Sequence, residues 1–231
     1  NINRLLELTK PVATAVVPIS AGRHIYKREP SFPIAVACDP AFNFVYEANI
    51  RYLHHLGEVT YFSPLADTSL PDAGFVYLPG GYPELYLAAL SANRQMLQSI
   101  RRYVESGGKL LAECGGMMYL CDEIRDKNGY VYPMAGVLHQ SATMENMKLR
   151  LGYRTLLYNE TRLKGHEFHY SRLVEQQNPL PSCAVAYTAK GVETDTPLYH
   201  YKNVWAGYTH LYWADPVGNE WFTKFVIDGN I

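Results

Sequence analysis

Apolar and polar positions change rhythm several times along this chain. Asn1 to Lys10 places Ile2, Leu5, Leu6 and Leu8 at helical spacing, and Pro11 ends the pattern. Residues 11–32 show little periodicity and carry Pro18, Gly22 and Pro30. From Pro33 short apolar runs alternate with helical stretches. Ile34 to Cys38 reads as a short buried strand. Phe44, Ala48, Tyr52 and Leu56 recur at helical spacing until Gly57. Val59 to Phe62 reads as a second strand, followed by a Ser63-Pro64 turn. Phe75 to Leu78 is a third, running into Pro79-Gly-Gly-Tyr-Pro83. Gln95 to Val104 predicts a helix closed by Ser106, Gly107 and Gly108, and Leu110 to Ala112 a fourth strand. Strands alternating with helices predict an α/β fold, a mostly parallel sheet with helices on both faces.

The second half has a different pattern. Leu149 to Tyr158, His166 to Tyr170 and Cys183 to Tyr187 are short alternating runs separated by Gly152, Gly165, Pro179, Pro181 and Gly191. They are expected to be further strands, some antiparallel, added to the same sheet. Pro216 to Asp228, with Trp221, Phe222, Phe225 and Val226 apolar, predicts a closing helix.

Composition narrows the function. A chain of 231 residues makes one large domain, or one domain plus a remnant. Net charge is -1 and no basic stripe is present, which argues against a nucleic-acid partner. No apolar run reaches membrane-spanning length and no secretory signal opens the chain. Cys38, Cys114, Cys121 and Cys183 show no metal-ligand spacing, so no metal site is expected. Scattered cysteines without an export signal point to a reducing, cytoplasmic setting. Asn1 is not a natural initiator, so the chain is expected to be cut from something longer, with residues 1–29 the tail of an upstream domain plus a linker and 30–231 the main domain.

The stretch with chemistry in it is Lys109 to Leu120. An apolar strand breaks at Glu113-Cys114-Gly115-Gly116 and resumes as a helix start. A nucleophile on such a turn is pushed into the open, and the backbone N–H of the next residue points to where an oxyanion forms. Cys114 is therefore a candidate nucleophile; the alternative is a small buried hydrophobe. Gly80-Gly81, after an earlier strand, is a candidate second donor, because parallel strand ends converge on one ligand crevice. A plain turn is the competing reading. For a base, two stretches stand out among eight histidines: Gly165-His-Glu-Phe-His-Tyr-Ser171 and Gly207-Tyr-Thr-His-Leu-Tyr-Trp213. Composition does not choose between them.

Five stretches together resemble a known family. Val36-Ala-Cys-Asp-Pro-Ala-Phe-Asn-Phe44, Phe62-Ser-Pro-Leu65, Leu78-Pro-Gly-Gly-Tyr-Pro-Glu84, Ala112-Glu-Cys-Gly-Gly116 with Met118-Tyr-Leu120, and Gly165-His-Glu-Phe-His-Tyr-Ser171 are similar to the C-terminal half of the cobyrinic acid a,c-diamide synthase family, from about Pro33 to Trp213. That half is a class I glutamine amidotransferase-like (flavodoxin-like) domain. The resemblance implies that Cys114 attacks the glutamine side-chain amide, releases ammonia and leaves a glutamyl thioester for water. It implies that Gly81 and Gly115 form the oxyanion hole and that His210, late in the chain, is the base. Gly80, Tyr82, Glu113, His166, Glu167 and His169 are assigned to the pocket wall or a domain interface. Related glutaminases often carry His-x-Glu; here the second residue after His210 is Tyr212. What orients the imidazole is open: a backbone carbonyl, a tyrosine hydroxyl or a carboxylate from elsewhere.

The family's N-terminal half binds ATP and Mg2+ and activates the substrate carboxylate. Its phosphate loop would read GxxxxGK[ST], and no such stretch occurs here. The implied partners are L-glutamine and cobyrinic acid, the latter bound mainly by the N-terminal half, with no cofactor in this domain, no nucleic acid, no membrane and no implied oligomeric state. The same chemistry on nickel sirohydrochlorin, in the coenzyme F430 pathway, is the near alternative. A non-catalytic docking domain that kept the fold is the different-class alternative.

Overall fold

A computed structural model describes residues 32–177 and 179–228. The helical pattern of Asn1 to Lys10, the linker, and the boundary at residue 29 lie outside the described residues.

The first half builds a sheet. Strand β1 is Pro33–Ala37, helix α1 Glu47–Leu56, β2 Glu58–Phe62 and β3 Phe75–Leu78. A 3-10 turn over Pro83–Leu85 leads to α2, Leu87–Ala92, and α3, Arg94–Glu105. Then come β4, Lys109–Glu113, and α4, Gly115–Leu120. Asn93 caps α3 by accepting the Met96 N–H, and Met96, Ile100 and Val104 form its buried stripe at a spacing of four. The expected α1 start at Phe44 is three residues early. Phe44 forms an isolated bridge with Gly80 before the helix begins.

Short strands follow: β5 Glu123–Arg125, β6 Val131–Pro133 and β7 Ser141–Thr143. A long hairpin joins β8, Arg150–Tyr158, to β9, Thr161–His169, and β10 is Arg172–Leu173. The chain continues with β11 Val185–Thr188, β12 Glu193–Thr194, β13 Leu198–Tyr201, β14 Val204–Gly207 and β15 His210–Leu211. It closes with α5, Pro216–Thr223, and a π-helical turn over Lys224–Asp228.

The main sheet runs β13-β14-β4-β3-β1-β2, parallel except for the edge strand β13. Side chains alternate between its faces, and each face has its own core. Val76, Leu78, Leu110 and Ala112 pack with α3 and α4; Phe75, Tyr77, Leu111 and Trp205 pack with α1, Trp213, Phe222 and Phe225. The expectation that the second-half strands extend this sheet holds only for β13 and β14. The others form a sheet β10-β7-β5-β6 and a sheet β12-β11-β8-β9-β15. Alternation identifies a half-buried strand but not its pairing partner. Among the described residues, no helix is long and apolar enough to cross a membrane.

Candidate active site

Three neighbouring parallel strands, β3, β4 and β14, end at one edge of the main sheet. The chain leaves β3 into Gly80-Gly81, β4 into Cys114, and β14 towards His210. Topology alone therefore gathers the residues that lie far apart in sequence.

Cys114 sits between β4 and α4 with φ 48° and ψ −106°, a conformation that ordinarily costs a non-glycine residue about 1–3 kcal/mol. Its amide donates to Gly207 O at 2.8 Å and its carbonyl accepts from Met118 N at 3.0 Å, so the turn is held from both sides. The two glycines after it are required by close approach. A Cβ on Gly116 would lie 2.1 Å from Leu78 O. A Cβ on Gly115 would lie 2.7 Å from Pro83 Cδ and 3.2 Å from Gly81 N, so the two expected oxyanion-hole segments abut. Gly81 is itself pressed against the loop after β1, where Tyr82 N donates to Ala41 O at 3.0 Å.

Cys114, Gly81, Tyr82, His166 and His210 line one cleft of about 340 Å³, together with Phe44, Leu151 and Phe168. His210 is buried at 3% exposure. Its ring lies directly on Gly80, with Phe44 at 4.5 Å between ring centroids and His166 stacked at 5.0 Å. His166 is tied by its Nδ1 to the Tyr46 hydroxyl. Behind His210, Glu113 Oε2 is 3.9 Å from Nδ1. Glu113 accepts from the Tyr77 hydroxyl at 2.6 Å and from Leu211 N at 3.0 Å. Tyr212 turns away, packing edge-on against Tyr46 at 5.5 Å.

Glu167 and His169, from the same motif as His166, are not in this cleft. Glu167 is fully buried, paired with Arg154 at 2.9 Å. His169 stacks on Tyr208 at 3.8 Å and lines a second cavity with Ser171, Arg150 and Asp195. The sequence reasoning missed Leu151 and Phe168 as wall residues and placed Phe44 in a helix. Phe168 carried a signal, since it lies two residues after His166 and so shares its strand face, whereas Leu151 reaches the cleft only through its pairing with Phe168.

Burial dominates the electrostatics. It pushes the Cys114 thiol up to about 12, Glu84 adds to the shift, and the Gly115 N–H opposes it. Burial drives His210 down to about 3, aided by His166 and His169 and opposed by Glu167. Burial raises Glu113 to about 8 against the hydrogen bonds from Tyr77 and Leu211. At neutral pH the pair rests as thiol and neutral imidazole. The arrangement suits general-base activation of the sulfur, in which the proton moves to the imidazole as attack begins.

Residues 33–217 match the family of CobB/CobQ-like glutamine amidotransferase domains. The hydrogenobyrinate a,c-diamide synthase of Pseudomonas aeruginosa is 40% identical over 185 residues, covering 78% of this chain and 41% of that protein. The cobyrinate a,c-diamide synthase of Fusobacterium nucleatum is 40% identical over 188 residues, with the same coverage of 78% and 41%. The cobyrinate a,c-diamide synthase of Dehalococcoides mccartyi is 35% identical over 233 residues, covering 93% of this chain and 49% of that protein. The chain thus spans about half the length of the relatives it matches. PurLQS from Thermotoga maritima shares the fold, with TM-score 0.54, 16% identity, and coverage of 86% of this chain and 96% of that one. So does a glutamine amidotransferase from Thermotoga maritima, with TM-score 0.52, 12% identity, and coverage of 86% and 84%. With four-fifths of its length matched and an α/β sheet of this topology, the chain belongs to the CobB/CobQ-like glutamine amidotransferase domain family.

Proposed function

We propose that this domain is a glutaminase that supplies ammonia to an amide ligase acting on the a and c acetate carboxylates of a corrin, cobyrinate or hydrogenobyrinate. The observation that carries the reading is Cys114 on a strained strand-to-helix turn in one cleft with His210, beside the abutting Gly81 and Gly115 segments. The Cys114 sulfur attacks the carboxamide carbon of glutamine while His210 takes the thiol proton. Gly81 and Gly115 offer N–H groups to the oxyanion. His210 returns the proton to the amide nitrogen, the C–N bond breaks and ammonia leaves. Water, deprotonated by His210, then cleaves the glutamyl thioester and releases glutamate. The names of the relatives support the corrin substrate. ATP and Mg2+ fall to the ligase half, whose phosphate-loop pattern does not occur in these 231 residues.

The test is glutamate release from glutamine, alongside amide formation by the full-length enzyme supplied with either glutamine or ammonium. Cys114→Ala abolishes glutamate release and glutamine-dependent synthesis and leaves ammonium-dependent synthesis within a few-fold. Equal loss of both syntheses in a folded variant overturns the division of labour.

A further inference from the structure

Glu113 is a buried titratable group that the reaction above leaves without a task. It is 2% exposed, at the end of a strand in which the three preceding residues, Leu110 to Ala112, are apolar. A lone carboxyl there is costly to bury unless something needs it. Its two oxygens already hold the Tyr77 hydroxyl and the Leu211 amide, so its position is fixed from β3 and from β15. The backbone of Leu211 is the next residue after the imidazole that would be the base.

His210 Nδ1 is buried and, among the described residues, has no hydrogen-bond partner. The polar oxygen it approaches is Glu113 Oε2, at 3.9 Å. On the other sides the ring meets Gly80, Phe44 and His166, and none of these contacts brings Nδ1 a carboxylate or a carbonyl. Tyr212 packs on Tyr46. A separation of 3.9 Å is longer than a hydrogen bond, and such contacts in ligand-free sites commonly tighten when charge develops.

We infer that Glu113 is the positioning residue of this site: it holds the His210 imidazole with Nδ1–H directed at its own carboxylate and Nε2 left to face Cys114. This rests on the Cys114–His210 reading above. A neutral imidazole with its proton on Nδ1 has a free Nε2 lone pair for the thiol proton. With Glu113 ionised, as it is in the folded protein above about pH 8, the imidazolium that forms when that proton arrives shares its charge with the carboxylate. Glu113 does not touch substrate; it acts through His210.

The test is Glu113→Gln in the full chain. Glutamine keeps the size and an oxygen for the Leu211 N–H, and turns an amide N–H2 towards Nδ1, which favours the wrong tautomer. Glutaminase kcat at pH 9, where Glu113 is ionised, should fall at least ~10²-fold with KM changed less than threefold. The second readout is 15N NMR of labelled histidine at pH 9, with His210→Gln identifying the signal. The parent should show His210 with the proton on Nδ1, and Glu113→Gln should move it to Nε2. A kcat within threefold of the parent, or an unchanged tautomer, overturns the inference. Should the Gln variant not fold, the parent tautomer decides alone: a proton on Nε2 overturns it. The parent's dependence on Cys114 tests the underlying reading separately, and the tautomer measurement needs no turnover.

Discussion

Gly80→Ala makes the sharpest demand on this site. A Cβ at residue 80 would lie 2.1 Å from Cε1 of His210, 3.0 Å from Nδ1 and 3.2 Å from Nε2. Carbon atoms in contact ordinarily sit about 3.5 Å or more apart, so the ring must shift by roughly 1.4 Å. It has little room to retreat, with Phe44 at 4.5 Å and His166 at 5.0 Å between ring centroids. A misplacement of about 1 Å at a catalytic group typically costs on the order of 10² in rate, about 2.7 kcal/mol of transition-state stabilisation. Overpacking a buried site costs about 1–3 kcal/mol of fold stability, which in a domain of this size lowers Tm by about 2–4 °C per kcal/mol. The expected result is a folded protein, modestly less thermostable, with glutaminase kcat reduced about 10²-fold. The assay is glutamate release at saturating glutamine, with a thermal melt on the same preparation. Turnover within threefold of the parent in a folded Gly80→Ala protein would falsify the placement of His210 as base.

Three further outcomes follow from the geometry. His210→Ala should depress glutaminase turnover nearly as far as Cys114→Ala, and the double variant should be little worse than either, because the two act as a unit; independent, multiplicative losses count against this. Arg154→Ala leaves the fully buried Glu167 carboxylate without its 2.9 Å partner and should cost about 3–5 kcal/mol, read as a urea midpoint shift; a cost under about 1 kcal/mol refutes the buried pairing. Glu113, raised from 4.5 to about 8, is protonated when folded and ionised when unfolded between those values, so its stabilising contribution is complete below 4.5 and lost as pH rises through 8. His210, lowered from 6.5 to about 3, contributes above 6.5 and loses its contribution as pH falls towards 3. Between pH 6.5 and 8 only Glu113 of this pair changes, so the stability of the parent relative to Glu113→Gln should decline across that window; urea midpoints at its two ends measure this, and an increase contradicts it.

Strands β1, β3 and β4 were legible because both of their faces are buried, which writes them as short apolar runs. The observed β1 to β4 differ from the expected runs by at most one residue at either end. The Cys114 turn was legible for a related reason: two successive glycines are needed where α4 meets the ends of β3 and the Gly80-Gly81 segment. Phe44 misled because it lies four residues before Ala48 and fits the helical spacing, while its backbone is committed to Gly80. The α1 N-cap, Tyr46, makes no side-chain capping bond, so no local signal marked the true start. Helix α2 has six residues, too few for a 3.6-residue period to show. Glu113 read as one polar letter beside a cysteine. Its setting depends on Tyr77, Leu211 and His210, which arrive from two other strands, so its contacts were illegible before the strands were paired.

The Gly165 to Ser171 motif shows why one strand can serve two compartments. On β9 the odd positions, Leu163, Gly165, Glu167 and His169, are buried, while His166 and Phe168 face the Cys114 cleft. Gly165 has no room for a side chain: a Cβ there would lie 2.2 Å from His210 O. That close approach lets β15 pair with β9 so that His210 stands opposite His166. A slip of one residue would exchange the faces, sending Glu167 into the cleft and His166 into the interior. The Arg154–Glu167 pair opposes such a slip, because the carboxylate would leave its cation and both charges would lose their buried partner. The hydrogen bond from Thr209 to Glu167, at 3.3 Å, ties the same carboxylate to the residue before His210. Glu167 therefore reaches the reaction through register: it fixes the strand against which His210 is placed, from a position outside the cleft that glutamine would enter.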